Sequence, residues 1–268
     1  MMNRIRLTLG LIGLAVAPLA AQSPFQENFK FEGILPNDPV VFVNTGSSSF
    51  WAYSSPYLGG LAPLASPSNY VNNLLIWCVD ETHDAFVGQT YQAWITPLAD
   101  APSQFGNTRQ GGAARNNYLW AAYLASSMNL NWGPGPNQAA NKAESVALQD
   151  AMWALLDEGA NSASREAGFR NSALAASLGI PPTSNSGFDF DTSPLPGGFD
   201  PTNWYLISCD PNGHPTCGPG YGQEFLVQLP GGGTPTSVTP EPATLSLLGT
   251  GLAGVLGTQL RRRKRRRA

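Results

Sequence analysis

The end of the chain most limits what it can fold into. Seven consecutive cations, Arg261 to Arg267, follow 18 uncharged residues, Ala243 to Leu260. An apolar stretch of that length is near the lower limit for a membrane-spanning helix, and a flanking Arg/Lys cluster stays on the cytoplasmic side. Any globular domain must then come from the preceding residues and lie across the membrane. Those seven cations with Arg4 and Arg6 account for most of the 15 basic residues, leaving six between the ends against 17 of the 18 acids. The central body therefore carries a net charge of about −11, which argues against a nucleic-acid partner, since phosphate binding needs clustered cations.

The N-terminus is a second address. Arg4 and Arg6 precede the apolar run Leu7 to Ala17, then Pro18, and small Ala20 and Ala21 stand before Gln22 and Ser23. This is the layout of a cleaved secretory signal peptide over residues 1–21, with the cut between Ala20 and Ser23. Between the ends, residues 22–229 form the exported body, and the Gly/Pro/Thr stretch 230–239 is a flexible linker. The 29 Gly and 23 Pro make up about a fifth of the 268 residues, which disfavours a helical bundle. With 42% hydrophobic, 10% aromatic and only 12% charged residues, the chain has the makings of a core and is not a disordered tail.

The C-terminal segment has three ordered parts: Pro240-Glu241-Pro242, the apolar run, and the basic cluster. This arrangement over 240–268 resembles the PEP-CTERM protein-sorting signal of Gram-negative bacteria. The resemblance implies a membrane helix over 243–260, transient residence in the inner membrane, and processing by exosortase near Pro240, Glu241 and Pro242. The body would be released or transferred to the cell surface, outer membrane or exopolysaccharide matrix.

Within the body, no internal repeat is present, and one domain from about Asn37 to Leu229 is the simplest reading. Short segments rich in β-branched and aromatic residues predict strands at Val40 to Asn44, Phe50 to Ser54, Asn73 to Val79, Thr90 to Pro97, Trp204 to Cys209 and Glu224 to Leu229. The period then changes. Arg115 to Met128 predicts a helix with Leu119, Ala122, Tyr123 and Ser126 on one face, and Gln138 to Glu158 a second, capped by Asn137 and ended by Gly159. A third, Ser164 to Leu178, ends at Gly179. The expected fold is α+β: a β-sandwich-like sheet with a helical insertion, plus the C-terminal hydrophobic helix.

Three cysteines in an exported chain leave one over after pairing. Cys209 and Cys217 flank the turn-former Asp210-Pro211-Asn212-Gly213 and are the natural disulfide candidate. Cys78 remains, in a segment apolar on both faces, and its plain reading is an inert core thiol. In the second helix, however, Gln149 shares a face with Val146, Met152, Trp153 and Leu156, where a core-facing carboxamide needs a polar network or covalent chemistry. If the fold brings them together, a Cys78 thiolate can attack the Gln149 carbonyl and expel ammonia.

Trp77-Cys78-Val79-Asp80 followed by Leu148-Gln149-Asp150-Ala151-Met152-Trp153 resembles the paired motifs of bacterial surface thioester domains, over a core of about residues 73–158. Trp120-Ala121-Ala122-Tyr123-Leu124 looks like the aromatic-rich helix between those motifs. Asp150 departs from the family pattern, where a small or apolar residue is common. The resemblance implies an internal Cys78–Gln149 thioester and a one-shot covalent adhesin, not an enzyme. Its target would be an amine-bearing surface or a matrix component such as exopolysaccharide, and no cofactor is expected.

Competing chemistry is thinner. Asp80, His83 and Asp84 are weak metal candidates whose spacing matches neither zinc nor Ca²⁺ patterns, and Asp189, Asp191 and Asp200 read as a solvated loop. A secreted cysteine hydrolase lacks bases, since only His83 and His214 exist. A non-covalent structural or carbohydrate-binding matrix module is the main alternative. It gains if Trp51, Trp94, Trp132 and Trp204 cluster on the surface and loses its main support if they are core.

Overall fold

A computed structural model describes residues 24–44, 49–54, 56–81, 85–156, 162–209 and 223–229. The signal peptide, the linker and the sorting segment lie outside them. Eight strands are present among the described residues: β1 (Phe25–Ile34), β2 (Val40–Asn44), β3 (Ser49–Tyr53), β4 (Tyr57–Pro63), β5 (Val71–Cys78), β6 (Thr90–Pro97), β7 (Trp204–Ser208) and β8 (Phe225–Gln228). Between β6 and β7 come α1 (Arg115–Ser126), α2 (Gln138–Leu155), α3 (Ser162–Arg170) and α4 (Ala173–Ser177).

The sheet is a closed antiparallel barrel in the order β1-β4-β5-β8-β7-β6, and β2 and β3 form a separate hairpin. This corrects the sandwich expectation, and β1 is the physical reason. It pairs with β4 on one side, Phe29 opposite Leu61, and with β6 on the other, Phe29 opposite Tyr91. Without it the other five strands are an open sheet whose two edges need another solution. Its signal was the strict alternation of buried Glu27, Phe29, Phe31 and Gly33, partly hidden by the charged and polar residues between them. The domain thus begins at β1 and not near Asn37. The C-terminal hydrophobic helix of the same expectation finds no support: no helix among the described residues is long and apolar enough to cross a membrane, and 243–260 lies outside them.

The barrel interior is filled by Phe29, Phe31, Ile76, Tyr91, Phe225 and their neighbours, with Phe29 5.0 Å from Tyr91 and 5.4 Å from Phe225 between ring centroids. Small residues make this packing possible. A Cβ on Gly59 in β4 would stand 2.9 Å from Ile76 Cδ1 and 3.1 Å from Phe29 Cε2. Gly59→Val is therefore expected to cost about 1–3 kcal/mol by overpacking, read as a lower denaturation midpoint at unchanged slope.

The outer faces of β5, β7 and β8 are also apolar, because the helices pack there. Trp77, Trp204, Leu206 and Leu226 join Tyr118, Trp120, Leu148 and Met152 in a second core, with Trp77 and Trp204 5.2 Å apart. This double burial explains why β7 is buried throughout and apolar up to Ser208. Helix α1 is buried over most of its circumference, although Ser126, expected on its inner face, is exposed. Asn137 takes the N-cap position of α2 without a capping side-chain bond, and Gly159 lies outside the described residues. The expected third helix is broken in two, since Ser172 accepts from the Ala175 amide and caps α4 anew. Gly179, at φ +74°, then ends α4, with Ile180 N donating to Ala175 O and Gly179 N to Ala176 O.

Candidate functional site

Alternation along β5 turns Ile76 and Cys78 into the barrel and Trp77 outward onto the helices. Cys78 is the last residue of the strand and faces Phe225 at the start of β8; one residue further, Val79 N still donates to Glu224 O at 3.0 Å. The sulfur thus sits at one end of the barrel. Helix α2 lies against this end, its Trp153 packing into the barrel core while Met152 and Leu148 face the helical core.

Gln149 lies between these two groups of α2 residues and is, like Cys78, 0% exposed. Its Nε2 donates to the Cys78 carbonyl oxygen at 2.8 Å, across 71 residues of sequence. The carboxamide and the cysteine are therefore in contact. A third side chain completes the cluster: Gln223, just before β8, places its Nε2 2.9 Å from Cys78 Sγ and 3.0 Å from the Asp80 carbonyl oxygen. The Cys78 thiol itself donates to that carbonyl at 3.0 Å. The sulfur therefore stands beside the Gln223 amide and the Asp80 carbonyl, with the Gln149 carboxamide bonded to the backbone of the same cysteine.

Charged groups tie the surrounding segments together. Buried Asp80 is ion-paired with Arg109 Nη1, whose backbone N donates to Glu224 Oε1 at 2.7 Å. Tyr118 of α1 donates to Glu224 Oε2 at 2.6 Å. Burial raises the Glu224 carboxyl above its ordinary range, against the pull of the Tyr118 hydroxyl and the Arg109 amide, and burial with the Glu224 charge raises the Tyr118 hydroxyl. Arg165 of α3 serves two acids, reaching Glu81 Oε2 at 2.9 Å and Asp150 Oδ1 at 2.7 Å. Asp150, the departure from the thioester-domain pattern, thus has a task of its own: it anchors α3 beside Gln149. Burial raises Glu81 as well, opposed by Arg165.

The other sequence candidates lie only in part among the described residues. Asp80 is engaged by Arg109, whereas His83 and Asp84 lie outside the described residues, as does His214. Among the described residues no group of three His, Cys, Asp or Glu converges as a metal site. Asp189 accepts from the Asp191 amide at 3.0 Å, and Asp200 caps a turn by accepting from Thr202, so these acids are turn formers. Cys209 is buried just after β7, while Cys217 lies outside the described residues. Trp132 and Trp204 are core residues, Trp94 is half-buried and Trp51 is exposed, so the four do not make a surface cluster.

Sequence reasoning missed Gln223, Arg109 and Arg165. Each stands in a loop or on a polar helix face and carries no local signal. Only the closing of β8 against β5 brings Gln223 to the sulfur.

Residues 238–264 match the model of the PEP-CTERM protein-sorting motif, a match that includes Pro240, Glu241 and Pro242. No curated protein and no solved structure matches the chain. The motif marks an exported protein that exosortase processes at the membrane.

Proposed function

We propose that this exosortase-sorted protein is a covalent adhesin of the cell surface or exopolysaccharide matrix, armed by a Cys78–Gln149 thioester. The observation that carries the reading is the contact of the wholly buried Gln149 side chain with the backbone of the wholly buried Cys78 from a distant segment, Nε2 donating to the Cys78 carbonyl oxygen at 2.8 Å. In the closing step Sγ adds to Gln149 Cδ, the Cδ–Nε2 bond breaks, and the thiol proton leaves with the nitrogen as ammonia. In the attack step the nitrogen of a primary amine bonds to Cδ, the Sγ–Cδ bond breaks, and the amine proton returns to the sulfur. No oxidant or reductant takes part. The Gln223 amide supports the departing sulfur by hydrogen bonding. The protein is consumed in one turnover and is a reagent, not an enzyme. Burial protects the stored bond from water until a target amine arrives.

The Cys209–Cys217 disulfide belongs to the same reading. The carbohydrate-binding alternative is weakened, since Trp132 and Trp204 are core residues and only Trp51 of the four is exposed. The hydrolase reading would need His83 or His214 as base, and both lie outside the described residues.

The test is the intact mass of the exported protein before and after methylamine, with Cys78→Ala and Gln149→Ala as controls. The expected mass is below that of the processed sequence by one ammonia and by the two hydrogens of the disulfide. Methylamine adds to the natural protein and to neither variant. A protein of unmodified mass, unreactive toward methylamine and with a titratable Cys78 thiol, overturns the reading.

A further inference from the structure

The β2–β3 hairpin carries an apolar surface that the proposed reaction does not use. Val40 stands opposite Tyr53 and Phe42 opposite Trp51, and by strand alternation these four side chains share one face. That face is open: Trp51 is 70% exposed and the other three about half. Phe42 and Trp51 lie against each other at 5.0 Å between ring centroids, a cross-strand aromatic pair formed before any partner arrives. The opposite face holds Ala52, which packs against the barrel core and anchors the hairpin. An aromatic cleft of about 290 Å³, whose lining includes Ile34, Trp51, Tyr53, Tyr57 and Val87, joins the hairpin to the end of the barrel. With exposed Ile34 and Val87 the patch comes to roughly 600 Å² of apolar surface, about the most that a typical monomer leaves bare.

Three observations select a second copy of this chain as the occupant. No charged residue stands between Asp38 and Asp80 in the sequence, while the body as a whole carries about −11. A partner steered by charge finds no complement on such a face, whereas two identical copies repel each other everywhere except across it. Area agrees: the same patch from two copies buries roughly 1,200 Å² in total, the lower end of specific interfaces, with the aromatic, charge-poor centre that such interfaces have. Topology leaves room. The hairpin lies in the connection from β1 to β4, and the barrel strands alternate in direction, so Phe25 and Leu229 lie at the opposite end of the barrel. The linkers of both copies therefore start away from the contact.

We infer that the outer face of the β2–β3 hairpin is a self-association surface, on which two copies of the exported protein pack face to face about a two-fold axis. Each hairpin supplies the same patch, with Phe42 and Trp51 at its centre, so the assembly closes at two copies. The contact is independent of the thioester: Cys78→Ala protein is expected to dimerise like the natural one, and failure of either reading leaves the other standing.

Sedimentation velocity of the mature exported protein across the micromolar range tests this. A reversible monomer–dimer equilibrium is expected, strengthened severalfold from low to high salt as the like charges of the two bodies are screened. Trp51→Ser should weaken the dimer by about thirtyfold, the loss of a central aromatic anchor, and Phe42→Ser should weaken it as well. Leu64→Ser, which removes an exposed apolar side chain just after β4 at the other end of the barrel, should leave it unchanged. All three side chains are exposed, so the variants keep their core, and unchanged Tm values check this. A protein that stays monomeric, a dimer weakened by salt or indifferent to Trp51→Ser, or equal weakening by Leu64→Ser overturns the assignment. So does a monomer that binds phosphatidylcholine vesicles through Trp51, which would give the face to a lipid surface, and so do oligomers that keep growing with concentration, which would break the two-fold closure.

Discussion

Arg165→Met is expected to lower stability by about 3 kcal/mol at neutral pH, or roughly 6–12 °C in Tm for a body of this size. The guanidinium holds Glu81, whose side chain is out of contact with water, and Asp150, which is partly open to it. Removing one partner of a buried pair leaves the other charge uncompensated, and Asp150's access to water keeps the loss at the lower end of the usual range. The cost should shrink at acid pH, where Glu81 takes a proton in place of its partner. Adding Glu81→Gln to Arg165→Met should recover part of the loss. Urea denaturation at neutral and acid pH checks this; a loss independent of pH and of Glu81→Gln would mean that Arg165 acts through packing alone. Because Asp150 adjoins Gln149, the same variant should slow amine uptake by loosening α2 against Cys78.

The second large effect is a decline of stability with rising pH. Burial pushes the Asp38 carboxyl up to about 8, against the pull of Lys142, and burial pushes Glu27 up to about 7. Both Asp38 oxygens and Glu27 Oε2 lack a hydrogen-bond partner among the described residues. Both groups have folded pKa values above their unfolded ones, so the stability they contribute is fully present below about pH 4 and is lost as pH rises through the folded values. Between those limits the unfolded chain ionises while the folded one does not. At about 1.4 kcal/mol per pKa unit, discounted for solvent screening, the combined decline from pH 4 to pH 8 is on the order of several kcal/mol. Denaturation midpoints across that range, with Asp38→Asn and Glu27→Gln, measure it. Each substitution should flatten the curve, and a flat curve for the natural protein would remove the effect.

Glu27 also shows why part of the fold was hard to read. A carboxylate at an inward position of β1 makes the segment look like a polar leader to the first strand, although Phe29 and Phe31 keep the two-residue period. With β1 and its partner β4 unread, the barrel had no closing strands and the sheet looked like half of a sandwich. The split of the third helix was legible only in part: Gly179 announced its end, but Ser172 becomes a cap because the chain turns there, and serine inside a helical pattern does not say so by itself.

The site divides in the same way. The burial of Gln149 follows from helical periodicity, because Met152, Trp153 and Leu156 define the face it shares. Its place beside Cys78 does not, because two residues 71 apart meet only when α2 lies over the end of the barrel. Gln223 is more extreme: no pattern around it speaks of the sulfur, and its role exists only through the pairing of β8 with β5.

By itself the sequence determined the sorting motif, six of the eight strands, the helices between β6 and β7, and the anomaly of a glutamine on an apolar face. These are local properties, written in composition, order and periods of two and 3.6 residues. The tertiary structure decided the closure of the barrel, the contact of Gln149 with Cys78, the sharing of Arg165 by two acids, and the aromatic cleft. Those depend on which distant segments pair, and that choice is made by the summed burial of a whole core, which no local pattern contains.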